Sequence, residues 1–280
     1  ACAEAVPGAI GLSASTVSRQ FVEASAEKLK ELQERDISGF DFVTLFLDGK
    51  AFADDVMVTA LGVTMDGTKV ILGFVQAGTE NEPVLTGFLN ELVDRGLTAD
   101  AGLLVVLDGG KGLRAAVKKA FGKKAAVQRC QWHKRENVVS YLPKPRQTMW
   151  RRRLQKAYSR PTYAEAKTSL LRLRDELSEV NLDAARSLEE GLEETLTLHR
   201  LGVFGVLGRS LKTTNCIESV FGRVERCCGK VSNWKNSSQK QRWLAASLTD
   251  IEPRLRKIQG YIHLGRLREA LQKDLGLVQH

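Results

Sequence analysis

Asp48 and Asp108 each close an apolar run and are each followed by glycine: Val43-Thr44-Leu45-Phe46-Leu47-Asp48-Gly49 and Leu103-Leu104-Val105-Val106-Leu107-Asp108-Gly109. Both runs are continuous rather than alternating, the pattern of a strand covered on both faces. Each carboxylate is therefore expected at the end of a buried strand, rigidly held. A third acid, Glu218, lies on a later helical tract beside Ile217, Phe221 and Val224. Hard divalent ions such as Mg²⁺ prefer carboxylate oxygens, and two or three acids are the usual protein contribution to such a site. Two ions about 4 Å apart activate an attacking oxygen and stabilise a leaving one during phosphodiester cleavage. Gathered without metal, the same acids repel one another. Any one of them alone reads equally well as a surface charge, a cap or an ordinary Asp-Gly turn.

The charge distribution favours the chemical reading. Net charge is +9, and from Lys111 to Arg160 sixteen lysines and arginines are interrupted by one acid, Glu136. The following stretch, Glu165 to Glu194, is net acidic. A basic block of this length suits the phosphate backbone of double-stranded DNA and implies salt-dependent affinity. Lys111, Arg129, His133, Lys134, Arg135 and the run Arg151-Arg152-Arg153 are its candidate contacts, with a solvated helix face as the alternative. Within the block, Trp132 is placed to stack on a displaced base, or simply to fill the core. Cys130 and His133 invite a zinc site completed by Cys216, Cys227 or Cys228. Their spacing supplies half of one, so a structural role beside the acids is the preferred reading.

The elements that must position these groups follow in order. Val43–Leu47 is a central strand, and Val56–Thr64 and Lys69–Gln76 form a hairpin joined at Asp66-Gly67, a dipeptide that favours two-residue turns. A helix from Pro83 to Arg95 carries Leu85, Phe88, Leu89 and Leu92 on one face and stops at Gly96. The strand Leu103–Leu107, a helix over Gly112–Phe121 and a short strand at Ala125–Gln128 complete a mixed α/β sheet of the ribonuclease H-like kind, flanked by helices. From His133 to about Leu207 the pattern is helical, with Leu170, Leu173, Leu177 and Val180 at helical spacing. That stretch reads as an all-α insertion. The expected division is a ribonuclease H-like core in two parts, 41–134 and 208–250, interrupted by the insertion at 135–207 and followed by a helical segment at 251–280. The opening 1–40 reads as the end of a helix-turn-helix domain, Gly11–Phe21 being its recognition helix with Arg19 toward DNA and Val17 and Phe21 inward, and Ser25–Glu34 a second, charged helix.

An apolar content of 43% over 280 residues is ample for a core. No run is long enough to span a bilayer and no signal peptide is visible, so a soluble, cytoplasmic protein is expected. Five irregularly spaced cysteines make no disulfide framework. The chain opens on Ala1 rather than Met, as a processed, trimmed or engineered start would.

Leu-Asp-Gly at Asp48, Leu-Asp-Gly at Asp108 with Gly112-Leu113 after it, Gln128-Arg129-Cys130-Gln131-Trp132-His133 with Arg135, and Thr213-Thr214-Asn215-Cys216-Ile217-Glu218 follow one another in this order. Together, over roughly Val43 to Leu248, they resemble the Mutator-type transposases of bacterial insertion sequences. The resemblance implies that Asp48, Asp108 and Glu218 are a catalytic triad holding two Mg²⁺ or Mn²⁺ ions, Asp48 shared and the other two holding one each. It implies hydrolysis at a transposon end, then attack of the freed 3′-hydroxyl on target DNA, with no covalent enzyme intermediate. It further implies Asn215 beside the DNA, and at least a homodimer to hold two ends. Glu225, two turns beyond Glu218, lies outside the matching motif. The sequence departs from the family at Glu136, which separates Arg135 from Asn137, and at Cys227-Cys228-Gly229-Lys230, where a more basic run is common. Family members are longer at the N-terminus, which implies that part of an end-recognising domain is missing here. Alternatives on the same core are a nuclease or junction resolvase that does not join strands, and a domesticated DNA-binding protein without catalysis.

Overall fold

A computed structural model describes residues 13–78, 80–229, 231 and 233–277. Five strands form one mixed sheet in the order β3-β2-β1-β4-β5. Strand β1 (Phe42–Phe52) pairs antiparallel with β2 (Asp55–Thr64), which pairs antiparallel with β3 (Lys69–Gln76). On its other side β1 runs parallel to β4 (Leu103–Leu107), and β4 runs parallel to β5 (Ala125–Arg129). The parallel pair β1–β4 is formed by the two runs that end in Asp-Gly, and every residue of β4 is buried.

Two local expectations change. Strand β1 does not stop at Asp48 but continues to Phe52, because its antiparallel partner β2 keeps pairing after β4 has ended, with Asp48 opposite Thr59. The β2–β3 turn is also wider than two residues. It spans Met65 to Thr68 and is closed by the Asp66 carboxylate, which accepts from the Thr68 hydroxyl at 2.7 Å and from Lys257 at 2.8 Å.

The two sheet faces bury different helices. Leu45, Leu47, Leu103, Val105 and Leu107 pack against α2 (Glu82–Asp94) and α3 (Lys111–Phe121), which follow α1 (Ala14–Glu34) in the chain. Opposite them, Phe46, Leu104 and Val106 belong to a cluster with three later helices, described below. After β5 comes a wholly helical tract: α4 (Gln131–Ser140), α5 (Lys144–Tyr158), α6 (Tyr163–Ser178), α7 (Leu182–Glu189), α8 (Leu192–Thr195), α9 (Thr197–Arg200) and α10 (Phe204–Leu211). Helices α4 to α7 enclose their own apolar cluster around Trp150, Leu154, Leu170, Leu173 and Leu177. Val180 is not part of it, because α6 ends at Ser178 and leaves Val180 exposed.

Helices α11 (Asn215–Cys228), α12 (Ser237–Ile251) and α13 (Leu264–Leu275) cover the Phe46 face. Ile217, Val220, Phe221 and Val224 are buried on α11, each contributing about 1.5–3 kcal/mol of apolar burial. That burial pins the helix. Residues expected as two helices at the N-terminus form one, capped by Ser13, and the recognition-helix reading of Gly11 and Leu12 lies outside the described residues. Phe21 does pack inward, its ring 4.7 Å from that of Trp243 on α12, while Arg19 faces solvent. Arg35, just past α1, pairs with Glu252 at 2.6 Å and so ties the helix to the far end of the chain.

Candidate active site

The last registered pair between β1 and β4 is Leu47 with Leu107, so Asp48 and Asp108 stand one residue beyond it on neighbouring strands. Strand side chains alternate faces. Asp48 thus continues the row of Phe46, and Asp108 that of Val106, toward the face covered by α11. Glu218 lies in the first turn of that helix. Three acids distant in sequence meet electrostatically here. The Asp48 carboxyl, 5% exposed, is pushed up to about 7 by burial and then by the charges of Asp108 and Glu218, against the pull of His133.

A second layer fixes this arrangement. Cys130, immediately after β5, donates its backbone N–H to the Leu107 carbonyl at 2.7 Å, and the Gln131 N–H reaches the Lys212 carbonyl at 3.0 Å. Both ends of the helical tract are thereby sewn to the strand that carries Asp108. Thr214, fully buried, places its hydroxyl 2.7 Å from Glu218 Oε1, 3.4 Å from His133 Nδ1 and 3.5 Å from Cys130 Sγ. A hydroxyl has one proton, and the shortest of these contacts assigns it to Glu218. Burial works against the His133 charge, but the Cys130 sulfur, Asp48 and Glu218 outweigh it and hold the imidazole up to about 9. Cys130 is shifted the opposite way, burial being overcome by the His133 cation. His133 thus presents a positive charge to the acids.

The sequence matches the family described as Transposase, Mutator family, over residues 1–256. The chain belongs to that family. It is 28% identical over 254 residues to the transposase for insertion sequence element IS256 in transposon Tn4001 of Staphylococcus aureus, covering 86% of this chain and 64% of that protein. It is 29% identical over 261 residues to the transposase for ISRM5 of Rhizobium meliloti, covering 90% and 64%. With the transposase for IS6120 of Mycolicibacterium smegmatis it shares 28% over 220 residues, 76% of this chain and 66% of that one. The chain spans less than two thirds of the length of each of these relatives.

In this Mutator-family chain the residues expected to face DNA divide into three groups. Lys111, Trp132, Arg152 and Asn215 are exposed, Trp132 by 45%. Arg135 and Arg151 are only partly exposed and share Glu136, at 3.0 Å and 2.8 Å, while Arg153 pairs with Glu176 and lies over the Trp150 ring. Glu136, which looked like a departure in the sequence, thus clamps two of the arginines. Arg129 and Lys134 point inward: both are buried, and both bind Glu190, at 2.9 Å and 3.0 Å. Burial and the Arg129 charge lower Lys134 to about 8. Neither lies on the exposed face of the basic block: the two cations share the single, half-exposed carboxylate of Glu190.

Thr214 and Glu190 are the residues that sequence reasoning passed over. Thr214 had a signal, since it precedes Glu218 by one helical turn within the matching motif. Glu190 had none, being one of many acids in an acidic stretch. Two of the other cysteines weighed for zinc have contacts elsewhere: Cys216 donates to the Ser210 carbonyl at 3.6 Å, and Cys228 lies 3.4 Å from the Ser247 hydroxyl.

Among the described residues, no three His, Cys, Asp or Glu side chains stand close enough to hold a metal ion as they are. The donor set nevertheless suits one in kind. Asp48 is a buried carboxylate destabilised by two neighbouring carboxylates, and hard oxygen donors of this sort match Mg²⁺ or Mn²⁺. No described helix is long and apolar enough to cross a membrane.

Proposed function

We propose that this chain is the catalytic part of a DNA transposase, which cuts phosphodiesters at transposon ends and joins the freed 3′-hydroxyl to target DNA. The observation that carries this reading is the elevated Asp48, which shares one electrostatic field with Asp108 and Glu218. A cluster so repulsive is costly unless it serves a cation. The strand order β3-β2-β1-β4-β5, with the first three strands antiparallel, supports a ribonuclease H-like core over 41–134 and 208–250. On that reading, the helices with their own apolar cluster are the insertion at 135–207.

Asp48, Asp108 and Glu218 would hold two Mg²⁺ or Mn²⁺ ions. Bound there, the ions supply activation of the attacking oxygen and stabilisation of the leaving one. The chain's own residues do the rest. Thr214 keeps Glu218 from turning away by hydrogen-bonding its carboxylate. His133, cationic near neutral pH, offsets the charge of the acids and of an incoming phosphate. Lys111, Arg152 and Asn215 are the exposed groups available to the backbone of double-stranded DNA, with Trp132 available to an unpaired base. Holding two ends requires at least a homodimer.

The test is strand transfer with a cognate transposon end and Mn²⁺. Asp48→Ala, Asp108→Ala and Glu218→Ala are each expected to abolish both cutting and joining while DNA is still bound. Full activity in any of the three rejects the assignment, and hydrolysis with no joined product assigns a nuclease instead.

A further inference from the structure

An open cleft of about 690 Å³ runs from Asp108 outward between α4 and α7. One wall is a single face of α4, presenting His133, Asn137 and Tyr141 at four-residue intervals; the opposite wall carries Arg186 and Ser187. Eight residues of helix span about 12 Å. The volume is that of a small-molecule pocket, with room for roughly one or two nucleotides and none for a duplex.

At the inner end the cleft is built around Arg129. This arginine leaves β5 and passes between two glycines with positive φ, Gly109 (104°) and Gly191 (68°). A β-carbon on either would collide with the guanidinium. Nη1 is held by Glu190, but Nε is buried with no acceptor among the described residues. A buried N–H left unpaired is costly, and the accessible remainder of this side chain opens onto the cleft beside Asp108. At the outer end Tyr141 is 51% exposed. Between them lie neutral hydrogen-bonding groups, Asn137 and Ser187, and the exposed Arg186, whose pairing with Asp183 at 3.5 Å is weak.

We propose that this cleft binds an unpaired DNA segment one or two nucleotides long, continuing from the scissile phosphate. Arg129 meets the phosphate nearest Asp108, and Tyr141 stacks the base at the mouth. The proposal rests on the transposase reading above and adds to it a single-strand subsite. A continuous duplex backbone is disfavoured because Glu80, Asp183 and Glu190 also line the cleft. A strand that presents base edges between its phosphates is compatible with mixed charge.

Fluorescence anisotropy compares the whole chain on two labelled DNAs, a blunt duplex and the same duplex with a short unpaired tail. The tailed DNA is expected to bind roughly fivefold more tightly or better, the low end of base–aromatic stacking. Tyr141→Ala and Arg186→Ala are expected to bring that ratio toward one. A tail carrying 5-iododeoxyuridine is expected to photocrosslink to the peptide containing Tyr141. Equal affinity for the two DNAs, an undiminished ratio in both variants, or crosslinks confined to another surface overturns the subsite. If the subsite fails while triad-dependent cutting persists, the transposase reading stands. Binding to neither DNA overturns both.

Discussion

The Thr214 hydroxyl donates to Glu218 Oε1 across one turn of helix at 2.7 Å, and the same oxygen lies 3.4 Å from His133 Nδ1 and 3.5 Å from Cys130 Sγ. Removing it leaves Glu218 free to rotate toward solvent. Hydrogen bonds to charged groups are worth about 1.5–3 kcal/mol. Thr214→Val, which keeps the shape, is expected to slow DNA cleavage about tenfold or more and to raise the Mn²⁺ concentration needed for half-maximal binding by calorimetry. Thr214→Ser is expected to restore both. Equal loss in the two variants would assign Thr214 to packing alone.

Asp48 gives the metal-free protein a pH dependence. Its carboxyl lies at about 7 against an ordinary 3.8. Between those values the folded protein keeps a proton that the unfolded chain has released, so stability falls as pH rises through the window. In chelator, Asp48→Asn is expected to match wild type in melting temperature near pH 4 and to exceed it by roughly 3–6 °C near pH 8. Calorimetric scans across pH decide it, and a constant offset between the two proteins would contradict the shift.

Glu190 joins Arg129 and Lys134, so its loss strands two buried cations. Glu190→Ala is expected to cost about 2 kcal/mol, less than the full penalty for a buried pair because Glu190 itself is half exposed. Lys134→Met added to it should recover part of the loss in denaturant unfolding. Lys134→Met should not alter the salt slope of DNA binding, whereas Arg152→Ala should reduce that slope by about one if Arg152 contacts a phosphate.

Gly109 sits at φ 104° immediately after Asp108, with the Arg129 guanidinium against it. Gly109→Ala adds backbone strain of about 1–3 kcal/mol and displaces the arginine. Lower thermal stability with loss of cleavage is expected, and a variant as stable and active as wild type would show that the turn relaxes freely.

The sequence by itself determined the strands and most helices, and put Asp48 and Asp108 at the ends of apolar runs, because buried strands read as unbroken apolar runs and a helical face repeats every three to four residues. It also carried the family motif with Thr214 inside it. What it did not contain was direction. Arg129 and Lys134 look like Arg151 and Arg152 in a list of charges, and only the fold shows that the first two turn inward to Glu190, an acid more than fifty positions away. Likewise Asp48 appeared to end a strand because its own apolar run ends there; that β1 continues to Phe52 depends on pairing with β2, a property of two segments together. Local pattern is written residue by residue, but the partner of a buried charge and the length of a paired strand are settled by which distant segments the packed core brings alongside.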